Sequence, residues 1–449
     1  MMLLAVNWSA LFANLGQFIL AFSILVVLHE LGHFLPAKWF GCRVDKFYLF
    51  FNPWFSLWKT QKGETEYGLG WVPLGGYVKI AGMIDETMDK EQMNQPAQPY
   101  EFRAKPAWQR LIIMLGGVTV NFILALLLFA MILFVWGEEK LPVANMKYGV
   151  MADSLAQSGG IRNGDRITAV NGKPLNYIDE LAKGIVLSER ASLTLNRNGK
   201  DTAVTLPKGF LSSLTKSQLS GFIYPRTPVI IDGDSEVKYV SGKMQNGDQL
   251  IGVNEKRFQF LDEYIEAKKN LRSQEITLLL LRNGRDTVRT VVKTDENTRT
   301  GLAYKDPYEV LGSEKKEYSL VSSIPAGANY GVERLKDYMT GIGLLFTSKE
   351  HKVSDNLGSV ISIGKTFGGT WDWRRFWMMT ALFSIILAFM NILPIPALDG
   401  GHALFTIYEM ITGRKPSDKF MEYAQMAGMA LLLGLMLYAF GLDIWRLFR

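Results

Sequence analysis

Four stretches of the chain carry no Asp, Glu, Lys or Arg: residues 1–28, 111–137, 376–398 and 423–442. Each reaches the roughly 20 apolar residues that a helix needs to cross a hydrocarbon core. The pattern therefore predicts a polytopic α-helical membrane protein with four transmembrane helices. The first stretch lacks a basic leading region and an Ala-x-Ala-like cleavage site, so it is expected to be retained rather than removed as a signal peptide.

Between these stretches the periodicity changes. In residues 36–110, Pro36 is expected to end helix one at about Leu35, because proline cannot continue the backbone ladder. Two strand-like runs follow, Val44–Phe51 and Glu64–Val72, and then Pro73-Leu74-Gly75-Gly76-Tyr77 is expected to form a flexible turn. Residues 83–106 are polar and predict a loop. A second block, 138–312, repeats at an offset of roughly 84 residues. Asn163-Gly164-Asp165 aligns with Asn246-Gly247-Asp248, and Val170-Asn171-Gly172-Lys173 with Val253-Asn254-Glu255-Lys256. Asp179-Glu180 aligns with Asp262-Glu263, and Arg197-Asn198-Gly199 with Arg282-Asn283-Gly284 as hairpin turns between alternating strands. Two strand-and-helix modules are expected, 138–225 and 226–312. The second copy departs at Glu255 and in its loop Gly242-Lys243-Met244-Gln245.

Residues 313–375 predict an amphipathic helix and a linker. Val332, Leu335, Met339, Ile342 and Phe346 share one face, while Glu333, Arg334, Lys336 and Asp337 discourage crossing lipid. The remaining segments are helix one (1–35), helix two (111–137), helix three (376–412), a short turn (413–422), and helix four with its tail (423–449).

Charge changes the picture only in sidedness. The net charge is +6 and the basic residues are scattered, with no aromatic-interleaved cluster, so nucleic acid is excluded as a partner. Lys38, Arg43 and Lys46, then Arg103, Lys105 and Arg110, and finally Arg414, Lys415 and Lys419 flank the spans on one side. Positive residues favour the cytoplasm, which leaves 138–375 outside; Arg446 and Arg449 argue weakly the other way. Cys42 is the only cysteine, so no intramolecular disulfide can form.

His29-Glu30-Leu31-Gly32-His33 carries the chemistry. Helical residues four apart sit one above the other, so both imidazoles can reach one Zn²⁺ and Glu30 can serve as general base on the attacking water. The bland alternative is a helix end where two histidines meet the interface. A catalytic zinc usually has three protein ligands. Asp399 is the best third, because it ends an uncharged run just after Pro394 and Pro396 break the helix. Broken backbone at membrane depth survives where it lines a cavity. His402 is the alternative third ligand, and His351 is assigned no role. By the charge rule, both motifs arrive at the same membrane face.

Asn391 is expected to contact a substrate carbonyl or an oxyanion, the alternative being a packing amide that satisfies broken backbone. In Gly116-Gly117-Val118-Thr119-Val120-Asn121, the glycines suggest close helix packing, with Asn121 either facing the cleft or not.

Together these motifs resemble the bacterial site-two proteases: H-E-L-G-H on helix one, N-x-x-P-x-P-x-L-D-G from Asn391 to Gly400, P-L-G-G-Y, and paired outer modules. The resemblance implies an intramembrane zinc metalloendopeptidase with His29, His33 and Asp399 as ligands and Glu30 as catalytic base. It implies two periplasmic PDZ-like α+β domains and a membrane-dipping β-hairpin at 64–77, where Gly75, Gly76, Tyr77 and Asn391 bind an extended substrate. Asn121 is a further candidate contact, although glycine-valine stands where the family more often has proline. Implied partners are single-span substrates of the anti-sigma-factor or signal-peptide type, membrane lipid and an upstream site-one protease. A non-catalytic scaffold is a rival reading that leaves the metal set unused, and a transporter with intramembrane zinc is a second, disfavoured by four spans without an inverted repeat.

Overall fold

A computed structural model describes residues 8–83, 96–188, 190–216, 222–233, 244–347 and 360–447. His351, Arg449, the Gly242-Lys243 step and residues 84–95 of the expected loop lie outside them.

Among the described residues, four helices are long and apolar enough to cross a membrane, and the chain is a multi-pass membrane protein. In the membrane unit, α1 (Trp8–Trp39) runs past Pro36. The expectation that Pro36 stops the helix is corrected by packing. Ala37 is fully buried against Val44, Ile80, Phe102 and Ile113, and Phe40 N–H donates to Pro36 O at 3.0 Å. The lost proline N–H is outweighed by this anchored last turn.

The inserted block forms a four-stranded sheet rather than a lone hairpin. Its strands are β1 (Val44–Phe51), β2 (Trp58–Lys62), β3 (Thr65–Leu69) and β4 (Val72–Ile80), in the order β2-β3-β1-β4. β1 runs parallel to β3 and antiparallel to β4. Pro73–Tyr77, expected to turn, lies inside β4 with Gly76 opposite Leu49 and Val72 opposite Phe51. Neither Gly75 nor Gly76 has positive φ. Their small size serves approach instead: a Cβ on Gly75 would strike the Phe51 ring, and one on Gly76 would strike Val26 of α1 and Tyr48 O.

Next, α2 (Ala107–Trp136) crosses beside α1. Gly32 and Gly116 bring the two backbones into contact, where a Cβ on either would overlap the other's carbonyl. The other sides of α2 are covered by two later helices, one at Trp373–Ile392 and one at Asp399–Thr412.

The second unit holds the repeat. The first copy contains β5 (Glu138–Lys140), β6 (Val150–Ala152), α3 (Ser154–Ser158), β7 (Arg166–Val170), β8 (Lys173–Pro174), α4 (Asp179–Val186), β9 (Ser192–Arg197), β10 (Lys200–Thr205), α5 (Phe210–Lys216) and β11 (Ile223–Pro225). The second contains β12 (Val229–Ile230), β13 (Gln249–Val253), β14 (Lys256–Arg257), α6 (Leu261–Lys268), β15 (Glu275–Arg282) and β16 (Asp286–Lys293). The β9–β10 and β15–β16 hairpins turn at Asn198-Gly199 and Asn283-Gly284, all at positive φ. Buried Asp165 receives Arg197 at 2.8 and 2.7 Å, and buried Asp248 receives Arg282 at 2.9 and 2.8 Å. Each copy has its own apolar core, around Leu193 and Leu195 or Leu278 and Leu280. After the second copy, α7 (Pro307–Leu311) places Leu311 in the first core, and β17 (Glu314–Lys316) pairs with β5.

The chain continues as α8 (Leu320–Thr347), α9 (Val360–Lys365), α10 (Trp373–Ile392), α11 (Asp399–Thr412) and α12 (Asp418–Leu447). The buried stripe of α8 is Ser323, Gly327 and Gly331, with the glycines against Ala130 and Phe129 of α2. The expected apolar face differs: Val332, Met339 and Phe346 are exposed, while Leu335 packs inward.

Candidate metal centre

His29 and His33 stand one turn apart on α1, their rings edge to face at a centroid distance of 4.8 Å. Their Nε2 atoms are 3.3 Å apart. The third group arrives because α10 ends at Ile392 and the chain then runs non-helically through Pro394 and Pro396. Ala397 takes a left-handed φ of 80°, strained for a residue with a Cβ, and is held by its N–H donating to Gln425 Oε1 at 3.1 Å. This bend starts α11 at Asp399, whose carboxylate sits in the first turn, where the helix dipole favours negative charge. Asp399 Oδ2 lies 3.3 Å from His29 Nε2 and 3.4 Å from His33 Nε2.

α2 supplies the back wall. Ile113, Gly117 and Asn121 recur every four residues and so share a face. His33 Nδ1 is 2.8 Å from Ile113 O. The backbone carbonyl can only accept, so Nδ1 carries the proton and Nε2 keeps its lone pair toward the centre. Gly117 leaves room for both imidazoles: a Cβ there would collide with His33 Nε2, His29 Cε1 and His29 Nδ1. Asn121 is fully buried, with its side-chain amide 3.2 Å from His29 Nδ1. The expectation that Asn121 contacts substrate is corrected by that burial, since it lies behind His29 and does not line the cleft.

The front of the site opens into a cleft of about 460 Å³ that includes His29, Glu30, His33, Gly76, Tyr77 and Asp399. β4 forms one wall and is an edge strand, with no strand on its other side among the described residues. Tyr77 donates to Asn52 Oδ1 at 2.9 Å and stacks on Tyr48 at 5.3 Å between centroids. Gly75 does not line this cleft and faces the Phe51 ring instead. Asn391, at the end of α10, brings Nδ2 to 3.5 Å from His29 Nε2. His402 lines the cleft, but among the described residues the one group of His, Cys, Asp and Glu able to share an ion is His29, His33 and Asp399.

The donor set fits zinc. Tetrahedral zinc with bonds of about 2.0–2.1 Å requires ligand atoms about 3.3–3.4 Å apart, and the two Nε2 atoms and Oδ2 show that spacing. Asp399 Oδ2 is buried without a well-formed hydrogen bond, as expected of an atom reserved for a cation.

Two metal-ready histidines flanking a glutamate, joined by a carboxylate from another helix of a multi-pass protein, define a membrane metalloprotease. The chain belongs to peptidase family M50, whose sequence profile matches residues 17–435. It is 27% identical over 457 residues to a protein of Xylella fastidiosa named as a zinc metalloprotease, covering 96% of this chain and 98% of that one. It is 25% identical over 458 residues to metalloprotease MmpA of Caulobacter vibrioides, covering 94% and 93%. A protein of Campylobacter jejuni, also named as a zinc metalloprotease, is 28% identical over 434 residues, covering 96% and 92%. The chain is thus a peptide-bond hydrolase with zinc as its cofactor.

Proposed function

We propose that this protease cuts single-span membrane proteins, of the anti-sigma-factor and remnant-signal-peptide kinds, after a site-one protease has trimmed them outside. The observation that carries the reading is the convergence of His29, His33 and Asp399 beside the edge strand β4, within one cleft of a multi-pass protein. The metal site faces the cytoplasmic side of the inner membrane, and residues 138–312 form two PDZ-like periplasmic domains that act as a filter. The charge distribution along the sequence and the repeated strand-and-helix modules support that arrangement.

His29, His33 and Asp399 hold the zinc, which supplies Lewis-acid polarisation of the scissile carbonyl and of the attacking water. A transmembrane helix hides its peptide bonds in its own ladder, so the substrate must unwind first. The unwound segment adds to the outer edge of β4 and gains backbone hydrogen bonds in place of those lost. Gly76 puts no side chain between that edge and the base, since a Cβ there would lie 3.6 Å from Glu30 Cγ. The Glu30 carboxylate takes a proton from water as the oxygen attacks the carbonyl carbon. It then delivers that proton to the departing amide nitrogen as the C–N bond breaks. Asn391 Nδ2 donates to a substrate carbonyl oxygen and holds the strand in register.

Glu30→Gln tests this. The variant keeps the shape and the metal ligands but loses the base, so about one zinc and substrate binding are retained while cleavage falls about 10²–10⁴-fold. Cleavage at the wild-type rate would remove Glu30 from the mechanism.

A further inference from the structure

We propose that Asn121 is a positioning residue of the metal centre, accepting a hydrogen bond from His29 Nδ1–H and so fixing the tautomer that presents Nε2 to zinc. The inference rests on the zinc reading above and concerns how the second imidazole is oriented. His33 is oriented by a backbone carbonyl, Ile113 O, at 2.8 Å. His29 has a different partner at its Nδ1: the Asn121 amide at 3.2 Å.

In the structure the nitrogen Nδ2 faces His29, while Asn121 Oδ1 is buried with no hydrogen-bond partner. That arrangement would leave Nδ1 as acceptor and put the imidazole proton on Nε2, aimed at Asp399 Oδ2. The two ends of a side-chain amide are distinguished only by the network they satisfy. Rotating the amide by half a turn exchanges its two ends, places Oδ1 against Nδ1–H and frees the Nε2 lone pair that a zinc ligand must present. The anchor is firm, because Ser384 Oγ of α10 donates to Asn121 O at 2.7 Å. Full burial keeps substrate from reaching the side chain. Metal-bound histidines commonly donate their second N–H to such an acceptor.

The test is zinc affinity of the detergent-purified full chain, measured by chelator competition, for wild type, Asn121→Leu and Asn121→Asp. Leucine keeps the volume and removes the acceptor, and zinc binding should weaken about 10–100-fold. Aspartate keeps an acceptor and should stay within about threefold of wild type. Thermal unfolding of the metal-free proteins should agree among the three. Unchanged zinc affinity in Asn121→Leu, or a raised KM with unchanged affinity, overturns the proposal. Should both variants misfold, nitrogen-15 spectra of zinc-loaded wild type decide: a protonated Nδ1 on His29 supports the assignment and a protonated Nε2 overturns it. A wild-type protein that binds no zinc would overturn the underlying reading too, which separates the two failures.

Discussion

Gly117→Ala makes the sharpest demand on the architecture of the site. A Cβ at this position would stand 2.6 Å from His29 Cε1 and 2.7 Å from His29 Nδ1, where ordinary contact begins at 3.4 Å. The ring of His29 must therefore retreat by about 0.7–0.8 Å, and His33, which the same Cβ meets, must retreat with it. Neither ring can swing freely, because each is held through Nδ1, His33 by Ile113 O and His29 by Asn121. Metal–ligand distances tolerate only about 0.2 Å. Losing the alignment of two ligands at once should weaken zinc binding at least about 100-fold, or about 2.8 kcal/mol. The helix itself should not suffer, since alanine is favoured over glycine in a helix by up to about 1 kcal/mol. Chelator competition reads the affinity, thermal unfolding of the metal-free protein reads the fold, and cleavage of a membrane substrate reads the outcome. Wild-type zinc affinity in Gly117→Ala would refute the argument that this glycine exists to admit the imidazoles.

The third ligand is separable from its neighbour. Asp399→Ala should lose the single zinc, whereas His402→Ala should keep it, as metal analysis of the purified proteins would show; loss in His402→Ala alone would reverse the assignment. In the unit that holds the repeat, burial works to raise the Asp248 carboxyl, but the hydrogen bonds and charge of Arg282 prevail and hold it below the usual range. The folded state thus favours the carboxylate, and its contribution is full above the ordinary aspartate pKa of about 4, fading as pH falls through the lower folded value. Asp248→Asn should unfold more easily at pH 7, because it removes the charge that Arg282 meets while leaving the arginine in place. The gap from wild type should narrow as pH falls below about 4, in chemical denaturation of the full chain; a gap independent of pH would refute the role of this ion pair.

The chemistry was open to reading because its signals are local. A His-Glu-x-x-His run needs only helical periodicity to bring His29 and His33 together, and Asp399 stands out by ending an uncharged span. The four long helices follow from the same absence of charge. β2 escaped because Trp58–Lys62 is exposed throughout and shows no alternation to betray a strand. Asn121 escaped as a partner of His29 because nothing near it in sequence says which helix it faces.

The remaining misses share one physical cause. In a chain that meets lipid, apolar residues suit both lipid and protein, so hydrophobicity loses its power to say which face packs. The expected face of α8 was its apolar one, yet Val332 and Met339 are exposed while Gly327 and Gly331 lie against α2. Glycine in P-L-G-G-Y suggested a turn, but in β4 it admits Phe51 and α1. Gly32, Gly116 and Gly117 act likewise between α1 and α2, and there the missing side chains decide where the metal ligands stand. In such a protein, glycine marks the surfaces where backbone must come close, and a cluster of them beside ionisable residues marks the site.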